Sequence, residues 1–157
     1  MAEIYSIVYQ PQPSRADDPD PKFNRVSIDS GTLIADHGLE GDRKAGRNPN
    51  RQLNLIDHET LELLRAEGFQ TEPGEMGEQI IVRGAGLDKL ARGTRVRLGT
   101  DAEIEITFPR TGCSWLEKIQ GQSKELTIGR LGVMARVISG GQIRVGDSVR
   151  VLVKEVE

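Results

Sequence analysis

Short alternating runs separated by frequent glycines limit this chain to a fold built from many short strands. Glycine contributes 18 of the 157 residues. The clearest run is AEIEITF at 102–108, in which Ile104, Ile106 and Phe108 alternate with Glu103, Glu105 and Thr107. Such alternation is typical of a strand with one face in the core and one face in water. The closely spaced turn residues predict many reversals of the chain.

Other segments predict a coarse order of elements. EIYSIVYQ at 3–10 and QLNLI at 52–56 are expected strands, and RVSI and TLIA, joined by DSG, are expected to form a hairpin. DHETLELLRAEG at 57–68 is the clearest helix, with Asp57 as its predicted cap and Gly68 at its end. Residues 132–156 are predicted to form two strands around a glycine turn.

The whole chain, residues 1–157, is interpreted as one domain, because no repeat or convincing linker divides it. The Pro- and Asp-rich segment 11–24 is an expected flexible loop. We predict a β-dominated α+β fold with one or two short helices. Short connections favour antiparallel pairing, which indicates a closed or partly closed barrel.

Charge and hydropathy exclude several classes of protein. The net charge of −3 and the pI near 5.5 argue against general binding to nucleic acid or to an anionic membrane. No apolar run approaches the roughly 20 residues of a membrane span, and the first ten residues lack the pattern of a signal peptide. A single cysteine fits a reducing compartment, so we expect a cytoplasmic protein.

That cysteine, Cys113, lies in the turn sequence TFPRTGCSW, directly after the AEIEITF strand. The guanidinium group of Arg110 would favour a thiolate, which is the form needed by a metal or by sulfur transfer. The alternative is a small, inert side chain buried at the end of a strand, since free cysteine is often buried.

A second candidate site is a basic loop. Arg43, Lys44, Arg47 and Arg51 follow one another among glycines within an acidic protein. Arginine side chains and free backbone amides are suited to phosphate or carboxylate, so the loop is a candidate anion pocket. The alternative is a solvated charged loop.

A third candidate is PGEMGEQI at 73–80. Its glycines indicate turns with positive φ, and Glu78 precedes a strand. Either the segment is only a turn, or Glu78 points inward and orients an arginine.

These motifs occur in an order that resembles the MOSC family, the C-terminal domain of molybdenum cofactor sulfurase. The matching segments are GLEGDRKAG (38–46), RQLNLID (51–57), PGEMGEQIIVRG (73–84), LARGTRVRLG (90–99) and FPRTGC (108–113). The similarity covers residues 24–153 and is greatest to the small stand-alone bacterial members.

The resemblance implies a strongly curved, mostly antiparallel β-barrel that binds the molybdenum cofactor, molybdopterin. Cys113 would carry sulfur as a persulfide or ligate molybdenum. The pterin and phosphate pocket would be lined by the residues of the glycine and basic motifs, which are Gly41, Asp42, Arg43, Arg51 and Arg110. Glu75, Gly77 and Glu78 would shape its far wall.

The chain also departs from the family pattern. Lys44 stands where many small members have histidine, and Gly112 stands where proline is usual. Lys44 could still contact an anion, although it cannot copy the proton chemistry of an imidazole. Larger relatives carry a cysteine desulfurase domain, which 157 residues cannot include, so no pyridoxal phosphate is expected in this chain.

Two chemistries follow from this reading, and both are hypotheses. One is sulfur relay through Cys113 from a partner such as a cysteine desulfurase. The other is molybdenum-dependent reduction of N-hydroxylated compounds. The second needs an external electron-transfer partner, because the sequence has no flavin, haem or iron–sulfur motif. A rival from another class is a non-enzymatic module that binds an anionic small molecule or a partner protein and has an inert cysteine.

Overall fold

The computed structural model describes residues 2–11, 25–112 and 114–152. Most of the expected loop at 11–24 therefore lies outside the described residues, and so does Cys113.

Strands dominate the described part of the chain. Their bounds are β1 (Glu3–Tyr9), β2 (Val26–Ile28), β3 (Ser30–Ile34), β4 (Gly38–Leu39), β5 (Leu53–Asp57), β6 (Ile80–Arg83), β7 (Arg95–Leu98), β8 (Ala102–Pro109), β9 (Val133–Ser139), β10 (Gly141–Arg144) and β11 (Val149–Leu152). Two α-helices, α1 (His58–Ala66) and α2 (Ser114–Gln120), and two short 3-10 turns (Leu87–Lys89 and Lys124–Thr127) accompany them. The predicted β-dominated fold with two short helices is confirmed.

The strands pair into two sheets. Eight form a large sheet in the order β11-β7-β8-β9-β5-β6-β1-β2, and three form a small sheet in the order β10-β3-β4. Every strand pair is antiparallel except β5 with β6, which run parallel. This one pair departs from purely antiparallel pairing, and α1 lies in the connection between its two strands.

The large sheet curls without closing into a continuous ladder among the described residues. Its end strands are β11 and β2, yet β1 reaches across to the turn before β11. Glu3 and Ser148 form an isolated bridge, and the Ile4 amide donates to the Asp147 carbonyl at 2.9 Å. The barrel is therefore partly closed, along one short seam.

The hairpin expected around DSG is wrong. β2 pairs with β1 in the large sheet, whereas β3 pairs with β4 and β10 in the small sheet. Only Asp29 separates the two strands, so the chain passes from one sheet to the other instead of reversing. Likewise, the expected pair of strands at 132–156 is wrong, because β9, β10 and β11 all form there.

Helix α1 is correctly predicted, but its cap is not. Leu61 and Leu64 are buried on its inner face, and Gly68 has a φ of 97°, as a terminating glycine needs. Asp57 makes no side-chain hydrogen bond to the helix. Its carboxylate accepts instead from the amides of Leu87 and Asp88, at 3.0 and 3.2 Å, and so fastens the 3-10 turn to the end of β5.

The core lies between the inner faces of the curled sheet, with a smaller apolar cluster under α1. Strand β5 is buried along its whole length, and the strand predicted from QLNLI is confirmed. Asn54, in the middle of β5, is completely buried and polar. Its hydrogen bonds connect β5 to Gln79, Arg110 and Val133, which belong to three other segments of the chain.

Candidate functional site

A cavity of about 270 Å³ opens where the basic loop, the end of β8 and the first residues of β9 come together. Four cationic side chains line it, with two polar and two apolar residues between them. The lining residues are Lys44, Arg47, Asn48, Arg51, Phe108, Arg110, Thr111 and Met134. We call this the cationic cavity. Among the described residues that line it, none is acidic, so its electrostatic potential suits an anion.

The ammonium group of Lys44 lies in a strongly positive environment. Burial lowers its pKa to about 8, and the nearby charges of Arg110, Arg25 and Arg51 act in the same direction. The carboxylate of Asp42 acts in the opposite direction. Burial is the largest cause of this lowered pKa, and an anion bound nearby would favour the charged form of the amine.

Arg51 forms part of the cavity rim. Its guanidinium carbon lies 5.3 Å from the ring centroid of Phe108, within cation–π distance. Phe108 and Met134 are the apolar residues that line the cavity beside its charges. Such a combination suits a planar, negatively charged ligand better than it suits a simple inorganic ion.

Hydrogen bonds fix the position of the Arg110 guanidinium group. Its Nη1 donates to Asn54 Oδ1 at 3.0 Å and also to the carbonyl of Met76. Gly77 makes room for the guanidinium group, because a Cβ built there would lie 2.8 Å from Arg110 Nη2. The arginine is therefore aimed by backbone and amide groups.

A chain of buried hydrogen bonds continues from Arg110 to the basic loop. The Asn54 amide nitrogen Nδ2 donates to the carbonyls of Leu131 and Val133, at 3.2 and 3.1 Å. The Asn54 backbone amide donates to Gln79 Oε1 at 2.7 Å, and Gln79 Nε2 donates to Asp42 Oδ2 at 3.2 Å. We call Asp42, Asn54, Glu78 and Gln79 the buried polar network, since all four are nearly inaccessible to solvent.

Asp42 shapes the basic loop from inside. It accepts from the backbone amide of Gln10 at 2.8 Å and from that of Lys44 at 3.1 Å. The amide of Arg43 donates to the carbonyl of Gln10 at 2.7 Å, which ties the loop to the end of β1. Gly41 supports the turn with a φ of 86°. Asp42 and Gly41 thus position the cations of this loop.

Glu78 closes the turn at 74–78. Both of its carboxylate oxygens accept from the amide of Gly74, at 3.1 and 2.9 Å. Burial raises the pKa of Glu78 to about 7, although Arg110 and Arg25 partly oppose the shift. The alternative in which Glu78 points inward is supported: its carboxylate holds the turn whose Met76 carbonyl accepts from Arg110.

The structure brings Lys44, Arg51 and Arg110 together at one cavity, as the sequence motifs led us to expect. Arg43 does not line it but lies next to Arg25, whose pKa it helps to lower after the larger effect of burial. Asp42 and Glu78 are buried, whereas Gly41 is exposed. Whether any of these residues binds a cofactor stays a prediction.

Cys113 lies outside the described residues, so its position is not part of this description. Its sequence neighbours Arg110 and Thr111 line the cavity, and α2 begins at the residue that follows it. Within residues 2–11, 25–112 and 114–152, no group of three or more His, Cys, Asp or Glu side chains is arranged to hold a metal ion.

Sequence reasoning missed the buried partners of the site. Asn54 and Gln79 interrupt or precede otherwise apolar strands, and a polar residue inside such a run is a usable signal of a buried hydrogen-bonded group. Arg47 was recognised as part of the basic loop, but Asn48, Thr111 and Met134 had no such signal. Their contribution depends on how separate loops meet.

Solved structures with a similar fold are known. The YUAD protein from Bacillus subtilis has a TM-score of 0.75 at 18% identity, and the match covers 95% of this chain and 94% of that one. YiiM from Escherichia coli has a TM-score of 0.67 at 21% identity, with 99% and 72% covered. YiiM from Geobacillus stearothermophilus has a TM-score of 0.72 at 18% identity, with 97% and 75% covered. These likenesses show a shared fold.

Among curated proteins, no sequence matches this chain closely. The described helices include none that is both long and apolar enough to cross a membrane. The family model of the MOSC domain matches residues 42–150, which is more than half of the chain and includes the cationic cavity with its buried polar network. The chain therefore belongs to the MOSC domain family.

Proposed function

We propose that this protein binds molybdopterin, the pterin of the molybdenum cofactor, in the cationic cavity and that Cys113 is its reactive thiol. The observation that supports the proposal most directly is the lining of the cavity. Lys44, Arg47, Arg51 and Arg110 share one opening, and no carboxylate of the described part of the chain lines it. Four cations around one cavity match a ligand with a phosphate group.

The residues present fit such a cofactor in two respects. The guanidinium groups of Arg51 and Arg110 and the ammonium group of Lys44 would hold the phosphate by charge-assisted hydrogen bonds. Phe108 and Met134 offer apolar surface to a ring system. At about 270 Å³, the cavity lies just below the roughly 300–1,000 Å³ of ordinary small-molecule sites, so it suits the phosphate and the adjoining part of the molecule.

The buried polar network would contribute by fixing Arg110 before the ligand arrives. A guanidinium group already held by Asn54 and the Met76 carbonyl loses little conformational freedom on binding. The same charge, together with Lys44, would favour the thiolate form of a cysteine three residues further along the chain. When bound, the cofactor would supply two-electron redox chemistry or a place for sulfur to be delivered.

Two reactions would use this arrangement. In sulfur relay, the Cys113 thiolate accepts sulfane sulfur from a donor protein and passes it on as a persulfide. In reduction, an N-hydroxylated compound takes up two electrons and two protons, and loses water, with the electrons coming from a separate electron-transfer protein. Both belong to the proposal, and both require the Cys113 thiol.

The test is to produce the protein in two hosts, one able and one unable to make the cofactor. We expect bound molybdenum and pterin fluorescence only from the first host. Arg51→Gln should lower the amount of bound pterin, because it removes a phosphate-binding cation from the rim. Cys113→Ser should retain the pterin and lose sulfur transfer or reduction. Absence of pterin and molybdenum from both preparations contradicts the proposal.

The non-enzymatic binding module is tested by the same preparation. Its cysteine would react with a thiol reagent only near the ordinary thiol pKa of about 8.5. We expect Cys113 to react at lower pH, with a rate that follows thiolate formation. A thiol that stays unreactive until pH 8.5 or above favours the module.

A further inference from the structure

Lys44 differs from the other lysines of this chain in its surroundings. Its side chain is half-buried and lines the cationic cavity, whereas Lys89, Lys118 and Lys124 are exposed. Among the described residues, no carboxylate forms an ion pair with Lys44. Lys44 therefore lines the cavity without an ion pair to any carboxylate in the part of the chain that the structure describes.

The neighbouring charges of Lys44 form a binding place for phosphate next to an amine. Arg51 and Arg110 line the same cavity, and Arg47 completes its rim. Arginine forks bind phosphate oxygens in pairs, so a small phosphate-bearing molecule would be held beside the Lys44 nitrogen. Holding two reactants side by side raises the rate of the reaction between them by several orders of magnitude in favourable cases.

We propose that Lys44 is a modification site for acyl phosphates: the cationic cavity binds the phosphate group, and the Lys44 amine attacks the acyl carbon. This proposal depends on the cavity accepting phosphate, and it does not depend on the identity of the cofactor proposed above.

The reaction is balanced without any further reagent. The neutral amine nitrogen forms a bond to the acyl carbon, and the bond from that carbon to the phosphate oxygen breaks. The bonding electron pair leaves with the phosphate, and the surplus proton of the nitrogen passes to solvent. The products are an N-acylated Lys44 and inorganic phosphate.

The electrostatics of the cavity favour both halves of this reaction. The neutral amine is more abundant at Lys44 than at an ordinary lysine, since its pKa is lowered to about 8 by burial and by Arg110, Arg25 and Arg51, with only Asp42 opposing. Lysines next to other cations are activated as nucleophiles in this way. The same arginines would stabilise the negative charge that grows on the departing phosphate.

Acylation would also have a consequence for the site. It removes the charge of Lys44 and adds an acyl group inside a cavity of only about 270 Å³. Both changes weaken binding of any anion there. Exposure to acyl phosphates would therefore reduce occupancy of the cationic cavity.

The experiment compares two acetylating reagents on the whole protein at pH 7.5, with peptide mass spectrometry as the readout. Acetyl phosphate carries the phosphate group, and the N-hydroxysuccinimide ester of acetic acid is an uncharged reagent of the same acyl group. Lys89, which is exposed on a 3-10 turn, is the internal control. With acetyl phosphate, we expect Lys44 to react about tenfold faster than Lys89, or more.

With the uncharged ester, the preference for Lys44 over Lys89 should be several-fold smaller, because only the nucleophilicity of the amine remains. Inorganic phosphate should slow acetylation of Lys44 by acetyl phosphate and leave Lys89 unchanged. In Arg51→Gln, the preference for Lys44 over Lys89 should differ less between acetyl phosphate and the uncharged ester. That comparison is robust to the accompanying change in the pKa of Lys44, since both reagents depend on the same amine.

Equal preferences with the two reagents, or no protection by inorganic phosphate, would overturn the proposal. Failure to find pterin in the purified protein would leave it unaffected, because the acetylation assay uses only acetyl phosphate and this chain. The two proposals can therefore fail separately.

Discussion

The polar residues beneath the cationic cavity and the cations that line it differ in how their hydrogen-bonding capacity is used. Asp42, Asn54, Glu78 and Gln79 are buried and bonded to one another, to backbone groups or to Arg110. Lys44, Arg47 and Arg51 form no ion pair among the described residues. Bonds within the network stabilise the fold, whereas these three cations line the cationic cavity.

This difference predicts which substitutions should destabilise the fold and which should weaken anion binding alone. A buried polar group that loses its partner destabilises the fold, because it has lost its hydrogen bonds to water and no bond within the protein replaces them. An exposed cation that loses its charge costs little stability. Four measurements test this distinction.

The largest expected effect follows Asp42→Ala. This change removes the acceptor of the Gln10 amide and of Gln79 Nε2, both buried, and that of the Lys44 amide. We expect the free energy of unfolding to fall by about 3 kcal/mol or more. Asp29→Ala is the matched control, since Asp29 is exposed and its substitution should cost less than about 0.5 kcal/mol. Urea unfolding measures both, and equal midpoints would contradict the assignment of Asp42 to the network.

Glu78 should make stability depend on pH. Its pKa rises from 4.5 to about 7 on folding, so the folded protein holds a proton there that the unfolded chain has released. The stability contributed by the neutral carboxyl group is fully present below about pH 4.5 and is lost as pH rises through 7.

The measurement is urea unfolding of the natural chain and of Glu78→Gln between pH 4.5 and 8. The glutamine keeps an acceptor for the Gly74 amide and cannot ionise. The natural chain should lose up to about 3 kcal/mol relative to the variant over that range. Parallel curves would show that ionisation of Glu78 carries no cost in the folded state.

Gly77→Ala tests the contact between the turn and Arg110. The new Cβ would lie 2.8 Å from Arg110 Nη2, at a φ of 86°. We expect the free energy of unfolding to fall by about 1–3 kcal/mol. Sulfate, used as a probe anion for the cationic cavity, should also bind more weakly. Gly86→Ala is the control: it has a φ of 66°, and no atom lies within 4 Å of the added Cβ. If both variants bind sulfate equally well, Arg110 is not positioned by this contact.

The smallest effect concerns Lys44. Since its pKa is about 8, the ammonium group loses its charge as pH rises through that value, and affinity for an anion should fall. Sulfate is a suitable probe because it stays a dianion throughout, and calorimetry measures its binding from pH 6.5 to 9.5. We expect a several-fold loss, about tenfold at most. In Lys44→Arg the affinity should stay flat, and a decline as steep as in the natural chain would remove Lys44 from the site.

Much of the fold could be predicted from local patterns. β8 and α1 follow directly from their periodicity, because each pattern repeats over several residues of one element. The hairpin at DSG failed because a turn signal says that the chain bends and not which strand will be its partner. The parallel pairing of β5 with β6 was likewise invisible, since their partnership depends on a helix placed between them.

Local patterns indicate a β-rich chain of the MOSC domain family, with several cations in the loop at 43–51 and Arg110 three residues before the cysteine. Which of those cations share a cavity, and which residues form hydrogen bonds to them, depends on the tertiary structure. Asn54 and Arg110 are 56 positions apart, and Asp42 and Gln79 are 37 apart. Contacts over such separations arise when strands pair and loops pack, and no local pattern of residues encodes them.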